Sequence, residues 1–356
     1  MYRKLIGATV LLVLGLGALP AVAAEGRIPL PFAGPPPYVL AAPGKYIVTR
    51  NLGIAAGPLL DVAANDVEID LNGMQLTSGD LANAVIRSVA GNNGLAVRNG
   101  TIIGGKNSIE VIGGARVVIE DVKSVGVGGS SEGIRLFGVS NFTVRRNIFD
   151  ASGLYGLWVE SPGPVPVTGT IEGNQFESCG GGIAVLNGSA VGILHNRVHQ
   201  TSTDHGILLV QTSGSLIAEN TLERLAIDGI HITTPFFGGA VANKLLDNVI
   251  HRTSNFGIYL DPGVGNNLLL NNVLDAAGSF GLVVEGYQNN LEANTLNGNG
   301  GFGMYFSVSS FGNVYRRNMA RGNGGGGCFG FPFTADICDQ TGGNTSFGDN
   351  FMPVLL

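Results

Sequence analysis

The feature that most limits how this chain can fold is a repeat of roughly 24 residues. A glycine followed by alternating apolar residues recurs eight times, at intervals of 23, 26, 24, 23, 28, 24 and 22 residues. These glycines are Gly133, Gly156, Gly182, Gly206, Gly229, Gly257, Gly281 and Gly303. A second series with the same period runs out of phase with the first. Its members are Asp121, Asn147, Asn174, Asn196, Asn220, Asn248, Asn272, Asn294 and Asn318.

Each repeat contains two or three short runs in which apolar residues alternate with period two, and no segment keeps a helical period. Asparagine and glycine separate the runs and favour bends, since both tolerate left-handed backbone. The pattern predicts an all-β fold, a single-stranded parallel β-helix of roughly a dozen coils stacked about 4.8 Å apart. We expect one elongated domain at 46–325, after a Pro-rich lead-in or cap at 24–45 and before a C-terminal cap at 326–356.

The first 23 residues resemble a cleavable leader. Arg3 and Lys4 precede an apolar run from Leu5 to Leu19, and small residues follow Pro20. The run is short for a membrane anchor, which needs about 20 residues. We therefore expect a signal peptide at 1–23, a secreted or periplasmic protein, and no membrane span after cleavage.

Net charge limits the classes of binding partner, and the cysteine count indicates which thiols can pair. Loss of Arg3 and Lys4 with the leader changes the net charge from −6 to −8. Such a balance argues against nucleic acid as a partner. Three cysteines in an exported chain leave one unpaired; we expect Cys328 and Cys338 to form a disulfide and Cys179 to be buried.

The runs VEIDLNGMQL (67–76) and VRNGTIIGG (97–105), together with the two repeated series, resemble right-handed parallel β-helix proteins of the pectate-lyase-like superfamily. The resemblance covers essentially the whole mature chain and implies a right-handed helix. It does not choose a function, because the superfamily includes polysaccharide lyases, hydrolases, epimerases, tailspikes, adhesins and a periplasmic copper-delivery factor.

If the first and third residues after each glycine point inward, the second points outward. That column contains Arg135, Trp158, Ala184, Leu208, His231, Tyr259, Val283 and Tyr305. His231 and Tyr259 then lie on adjacent coils about 5 Å apart, with Asp261 beside them. His231 is the candidate general base, Tyr259 the candidate acid, and Arg135 a more distant partner for a substrate carboxylate. Each of them is also compatible with ordinary surface, and Arg135 with a cross-coil ion pair.

Substrate-binding candidates surround these three. They are Trp158, Tyr155, His205, Asp228 and Asp261, with His205 a second candidate base and Asp228 or Asp261 a group that orients His231. Two long coils, with insertions at 161–167 and 233–243, predict a groove two coils wide above Ala184 and Leu208. Aromatic side chains beside such a groove favour a polysaccharide partner.

Specific motifs of the superfamily are absent. The D-P-H motif of alginate epimerases has only partial counterparts, in Asp204-His205 and in Asp261-Pro262. His205 and His231 supply two metal ligands without a third, so no metal or other cofactor is expected. Two functions stay open: a lyase or C5-epimerase of acidic polysaccharide, or a non-catalytic scaffold or adhesin that binds glycan or protein.

Overall fold

The computed structural model describes residues 26–31, 34–127, 129, 131–235, 239–325, 328, 336–340 and 342–351. The predicted leader at 1–23 lies outside these ranges. All regular elements within them are β-strands. Over the same ranges, no helix has the length and apolar character needed to cross a membrane.

The first wall of the molecule is a 13-stranded parallel sheet in which the strands follow one another in chain order. Its strands are Tyr38–Leu40, Leu60–Val62, Ile86–Ser88, Asn107–Ile112, Glu132–Phe137, Tyr155–Glu160, Gly181–Leu186, Ile207–Val210, Ile230–Thr233, Ile258–Leu260, Leu282–Val284, Met304–Phe306 and Ile337–Asp339. Each coil contributes one strand, so neighbouring strands are a full coil apart in sequence. We call this wall the 13-stranded sheet.

The other two walls belong to one 24-stranded sheet whose strands form two parallel rows. One row contains Arg27–Leu30, Gly44–Val48, Val67–Asp70, Phe142–Arg145, Gly169–Glu172, Gly192–Leu194, Leu216–Ala218, Lys244–Leu246, Leu268–Leu270, Asn290–Glu292, Val314–Arg316 and Thr345–Ser346. The other contains Leu52–Ile54, Gln75–Ser78, Ile148–Asp150, Gln175–Glu177, Arg197–His199, Thr221–Leu225, Val249–Thr253, Val273–Asp275, Thr295–Asn297 and Met319–Arg321. Ala96–Gly104 and Val118–Val125 are long enough to pair in both rows. A separate two-stranded pair joins Ala240–Val241 to Val264–Gly265.

The core is a continuous column of aliphatic side chains. Ile183, Ile207, Ile230, Ile258 and Leu282 are in register on successive coils, and each is fully buried. Alternation along a strand places every second residue in this column. The predicted all-β parallel β-helix is therefore confirmed.

The asparagine series forms a buried ladder along one bend. The side-chain amide of Asn196 donates to Asn220 Oδ1 (3.0 Å), and that of Asn220 donates to Asn248 Oδ1 (3.0 Å). Both side chains are at most 1% exposed. The left-handed backbone that we expected at the asparagines belongs instead to the residue before each one, as at His195 (φ 55°) and Glu219 (φ 55°). Asparagine suits this position because its side-chain amide forms hydrogen bonds with the coil before it and the coil after it.

The ends of the solenoid extend beyond the predicted boundaries of the repeat region. Arg27–Leu30 pairs with Gly44–Val48, inside the segment predicted as a lead-in. At the other end, Ile337–Asp339 pairs with Met304–Phe306. Cys328 and Cys338 are joined by a disulfide with their Cα atoms 5.6 Å apart, and Cys179 is free and buried. Among the described residues, strand pairing thus reaches into both segments predicted as caps.

Candidate functional site

The strand Ile230–Thr233 presents His231 on the outer face of the 13-stranded sheet. Ile230 and Ile232 are fully buried, so His231 and Thr233 must point the other way. His231 is directly opposite Tyr259 on the next coil. Their rings stack with centroids 4.8 Å apart and an interplanar angle of 20°. The adjacency expected from the sequence is thus present.

Asp261 fixes the imidazole of His231. His231 Nε2 lies 3.0 Å from Asp261 Oδ1. Burial raises the pKa of the Asp261 carboxyl, but hydrogen bonds from His231 and Thr233 outweigh burial and hold that pKa below its ordinary value. A carboxylate can only accept, so the Nε2 atom of His231 is the donor in this contact; in the neutral imidazole Nδ1 then keeps its lone pair.

Tyr259 is held as a neutral phenol. Its hydroxyl donates to Glu285 Oε2 at 3.1 Å. Burial, followed by the negative charges of Asp261 and Glu285, raises the pKa of Tyr259 far above its usual range. Tyr259 can therefore donate a proton or a hydrogen bond at neutral pH but cannot act as a base.

His205 and Asp228 approach His231 from its other side. His205 Nε2 lies 3.3 Å from His231 Nδ1, and the two rings meet edge to face with centroids 4.7 Å apart. Asp228 is 1% exposed, and its Oδ2 lies 3.2 Å from His205 Nδ1. Asp228 Oδ1 accepts hydrogen bonds from Asn255 Nδ2 (2.9 Å) and from the backbone amide of Phe256 (3.0 Å). The structure thus brings four of the sequence candidates, His205, Asp228, His231 and Asp261, into one cluster.

Tyr155 is not available to bind a sugar. Its side chain is 3% exposed and its hydroxyl donates to Asp204 Oδ1 at 2.5 Å. The ring lies against Gly181 on the next coil, where a β-carbon would meet it at 2.5 Å. Tyr155 therefore holds Asp204 next to His205, which corrects the prediction that it is a substrate-binding residue.

Trp158 is half-buried at the neighbouring position. Its indole Nε1 donates to Glu160 Oε2 at 3.0 Å, and its ring meets Tyr155 edge to face with centroids 5.5 Å apart. Both contacts fix the orientation of the indole on the outer face. The ring is positioned to contact a ligand on this wall, on the side away from His231.

Arg135 lies far from the cluster. It is four strands away from His231 in the 13-stranded sheet, a distance of about 19 Å at the ordinary strand spacing. Its guanidinium faces Glu110 (Nη1–Oε1 3.7 Å) and lies 5.3 Å from the ring centroid of Phe137. Arg135 therefore cannot act on the same sugar residue as His231, because tertiary spacing separates them. None of the described contacts of His231, Tyr259 or Asp261 is made by a lysine or arginine.

The predicted groove floor is only partly open. Ala184 is fully buried, whereas Leu208 is partly exposed next to His231. The insertion at 161–167 is described, but residues 236–238 of the second insertion lie outside the described residues. The predicted floor is therefore covered at Ala184 and accessible at Leu208.

Three further residues contribute contacts that the sequence did not assign. Asp204 bonds Tyr155, Glu285 accepts from Tyr259, and Asn255 binds Asp228. Glu285 follows its glycine by four residues, the position that Asp261 holds after Gly257. That spacing was the available signal for Glu285. Asp204 and Asn255 lie at bends, where alternation gives no direction.

Fold and outer-face geometry together define a right-handed parallel β-helix repeat protein. A family model described as "Right handed beta helix region" matches residues 83–236. A second, described as "Periplasmic copper-binding protein (NosD)", matches residues 168–326. No curated protein matches the chain.

Solved structures support the same fold. The periplasmic alginate epimerase AlgG superposes with a TM-score of 0.62 at 16% identity, over 93% of this chain and 84% of that one. PfbA, a surface adhesin of Streptococcus pneumoniae, gives 0.53 at 12% identity, over 78% and 83%. The Dettilon tailspike protein gives 0.51 at 13% identity, over 87% and 62%. At such identities the likeness establishes the fold alone.

Proposed function

We propose that this protein is exported, binds polysaccharide across the outer face of the 13-stranded sheet, and acts on acidic polysaccharide as a lyase or C5-epimerase. The observation that carries the proposal is the contact among His231, Tyr259 and Asp261 on two adjacent coils. A base oriented by a carboxylate beside a neutral phenol is the pair that proton removal next to a carboxylate requires.

In the proposed reaction, His231 Nδ1 removes the proton at C5 of a uronate residue. In elimination, the resulting electron pair forms the C4–C5 double bond while the C4–O bond breaks, and Tyr259 protonates the departing oxygen. In epimerisation, the carbanion is instead reprotonated at C5 from the opposite face by Tyr259. In both cases solvent returns the phenol proton and removes the proton from His231.

Similarity to known proteins supports a carbohydrate partner and an exported location, without specifying the polymer. One structural neighbour is an alginate epimerase and is periplasmic. The leader at 1–23 favours the same compartment. We therefore infer a periplasmic or secreted protein that meets a glycan polymer.

A non-catalytic glycan-binding scaffold is the second candidate, and one observation favours it. A carbanion next to a carboxylate needs a cation or strong donor to stabilise its charge. Arg135, the cation assigned to this task from the sequence, is about 19 Å from His231. A binding protein needs no such cation beside the cluster.

The test uses alginate, polymannuronate and polygalacturonate in D2O, with two measurements on each polymer. Ultraviolet absorbance detects the unsaturated product of elimination. Proton NMR detects epimerisation as the loss of the H5 signal when deuterium from the solvent replaces that proton. We expect activity on one polymer, lowered at least about 100-fold in His231→Ala and about 10-fold or more in Tyr259→Phe.

The matched control is His199→Ala. His199 also faces a carboxylate, Glu177 (2.8 Å), but it lies on the other sheet, so its loss should leave activity unchanged. Absence of both signals on all polymers, or an active His231→Ala protein, would refute the enzyme proposal. Polymer binding that survives in an inactive wild-type protein would favour the scaffold.

A further inference from the structure

Three potential ligand atoms converge on the side of His231 that faces His205 and Asp228. Asp228 Oδ2 lies 3.2 Å from His205 Nδ1 and 3.8 Å from His231 Nδ1. One donor atom from each of His205, Asp228 and His231 lies within 4.8 Å of the other two. The three residues come from two adjacent coils, since Asp228 lies in the bend just before the strand Ile230–Thr233. Asp228, predicted only to orient His231, is thus a third potential metal ligand.

The cluster is shielded from solvent. The Asp228 side chain is 2% exposed, and those of His205 and His231 are 13% and 16% exposed. His205 Nδ1 is completely buried and has no hydrogen-bond partner, because its 3.2 Å approach to Asp228 lacks hydrogen-bond geometry. A buried polar atom without a partner is destabilising, and a cation bound at His205 Nδ1 would compensate for this.

The imidazole nitrogens of His205 and His231 carry too few hydrogens to satisfy every acceptor around them. A neutral His231 directs its one hydrogen from Nε2 towards Asp261, and its Nδ1 is then an acceptor. If neutral His205 carries its hydrogen on Nε2, its Nδ1 lone pair faces the Asp228 carboxylate. If the hydrogen is on Nδ1 instead, Nε2 faces His231 Nδ1 at 3.3 Å and Asp204 Oδ1 at 3.5 Å, which are both acceptors. In either tautomer of His205, two hydrogen-bond acceptors face one another. One cation bound between them would remove this unfavourable contact.

We propose that this cation is a divalent transition-metal ion of the zinc type, bound by His205 Nδ1, His231 Nδ1 and Asp228 Oδ2. Two imidazoles and a carboxylate suit Zn²⁺, and ligands about 2.0–2.1 Å from it in tetrahedral geometry are about 3.3–3.5 Å apart. The 3.2 Å separation between Asp228 Oδ2 and His205 Nδ1 is close to this spacing, and the 3.8 Å separation between Asp228 Oδ2 and His231 Nδ1 would shorten on binding. Three protein ligands leave a fourth position for water or for an oxygen of a bound ligand.

The surrounding carboxylates are arranged as supports for such a site. Asp261 takes the Nε2 hydrogen of His231 at 3.0 Å, and Asp204 lies 3.5 Å from Nε2 of His205. Metal-bound histidines usually donate their second nitrogen in this way. The inference does not rest on the proposed function and competes with it. A metal on Nδ1 of His231 would occupy the lone pair needed for proton removal, so only the metal-free chain could carry out the proposed reaction.

The test is equilibrium dialysis of the untagged, chelator-stripped full chain against Zn²⁺, with Co²⁺ as a spectroscopic probe. We expect one equivalent of Zn²⁺ per chain and the visible absorption of four-coordinate Co²⁺. His205→Ala and Asp228→Asn should each weaken Zn²⁺ binding about 100-fold or more, since the loss of a supporting residue alone costs about 10–100-fold. Circular dichroism establishes that each variant is folded, and His231→Gln replaces any variant that is not.

His251→Ala is the matched control. His251 Nδ1 lies 2.7 Å from Asp275, on a different wall, so its loss should leave Zn²⁺ binding unchanged. Failure of the wild-type chain to retain Zn²⁺ would overturn the proposal and assign the missing cation to a proton. Zn²⁺ retained equally by folded His205→Ala and Asp228→Asn would also overturn it. Neither result depends on any carbohydrate measurement.

Discussion

The carboxylate of Glu132, a single side chain on the outer wall, lowers the stability of the folded protein at neutral pH. It begins the strand Glu132–Phe137 and is half-buried. Burial raises the pKa of its carboxyl above the ordinary value, and the positive charges of Arg135 and Lys106 offset this only in part. The folded state therefore binds the Glu132 proton more tightly than the unfolded state. Stability from this group is fully present below the unfolded pKa and is lost as pH rises through the folded pKa.

Glu132→Gln should therefore raise the free energy of unfolding at pH 7, by less than about 1 kcal/mol because the group is partly solvated. The gain should disappear below about pH 4, where the wild-type carboxyl is protonated in both states. Urea unfolding of both proteins across this pH range measures the difference. The exposed Glu172→Gln is the control. A gain that grew towards acid pH would contradict the assignment.

At the scale of the element, the asparagine ladder stabilises the bend between two walls. Asn220 Oδ1 accepts from the backbone amide (2.9 Å) and the side-chain amide (3.0 Å) of Asn196. Its own amide donates to the Ile193 carbonyl at 2.8 Å and to Asn248. Each rung therefore satisfies buried groups on both neighbouring coils.

Asn220→Ala should lower the free energy of unfolding by about 3–5 kcal/mol, because several buried donors and acceptors lose their partner at about 1–3 kcal/mol each. Chemical unfolding followed by circular dichroism measures the loss. Thr221→Ala, at the exposed next position, should cost far less. Equal losses in the two variants would show that the ladder adds no stability beyond the strand itself.

At the scale of the molecule, each coil contacts mainly the coils directly before and after it. All strand pairing is parallel between successive coils, and one apolar core runs through them. Stability in such a solenoid is approximately a sum over coils and their interfaces. The loss of a stabilising interaction in a terminal coil should therefore destabilise that coil and its neighbour but not the central coils.

Reduction of the Cys328–Cys338 disulfide, which closes a sequence separation of 10, should destabilise the last coil by about 2–3 kcal/mol. Amide hydrogen exchange should accelerate in Ile337–Asp339 and the paired Met304–Phe306. Exchange in the central strand Ile207–Val210 should be unchanged. Cys179, which is free and buried, serves as an internal thiol control. Uniform acceleration along the chain would indicate that the solenoid unfolds as one unit.

The sequence by itself determined the architecture and one column of the site. Alternation with period two and a repeat of roughly 24 residues are local properties, so they place Ile230 inside, His231 outside and Tyr259 beside it. The asparagine series predicted a bend, although its left-handed residue is the one before each asparagine.

Only the tertiary structure decided which residues meet at the bends. Alternation gives no direction there, so sequence could not show that Asp228 and His205 turn towards His231 while Tyr155 folds over Gly181 to reach Asp204. It also separated Arg135 from His231, since the number of coils between two residues sets their distance. The repeat fixes the face on which a side chain lies, but bend geometry and coil count decide its neighbours.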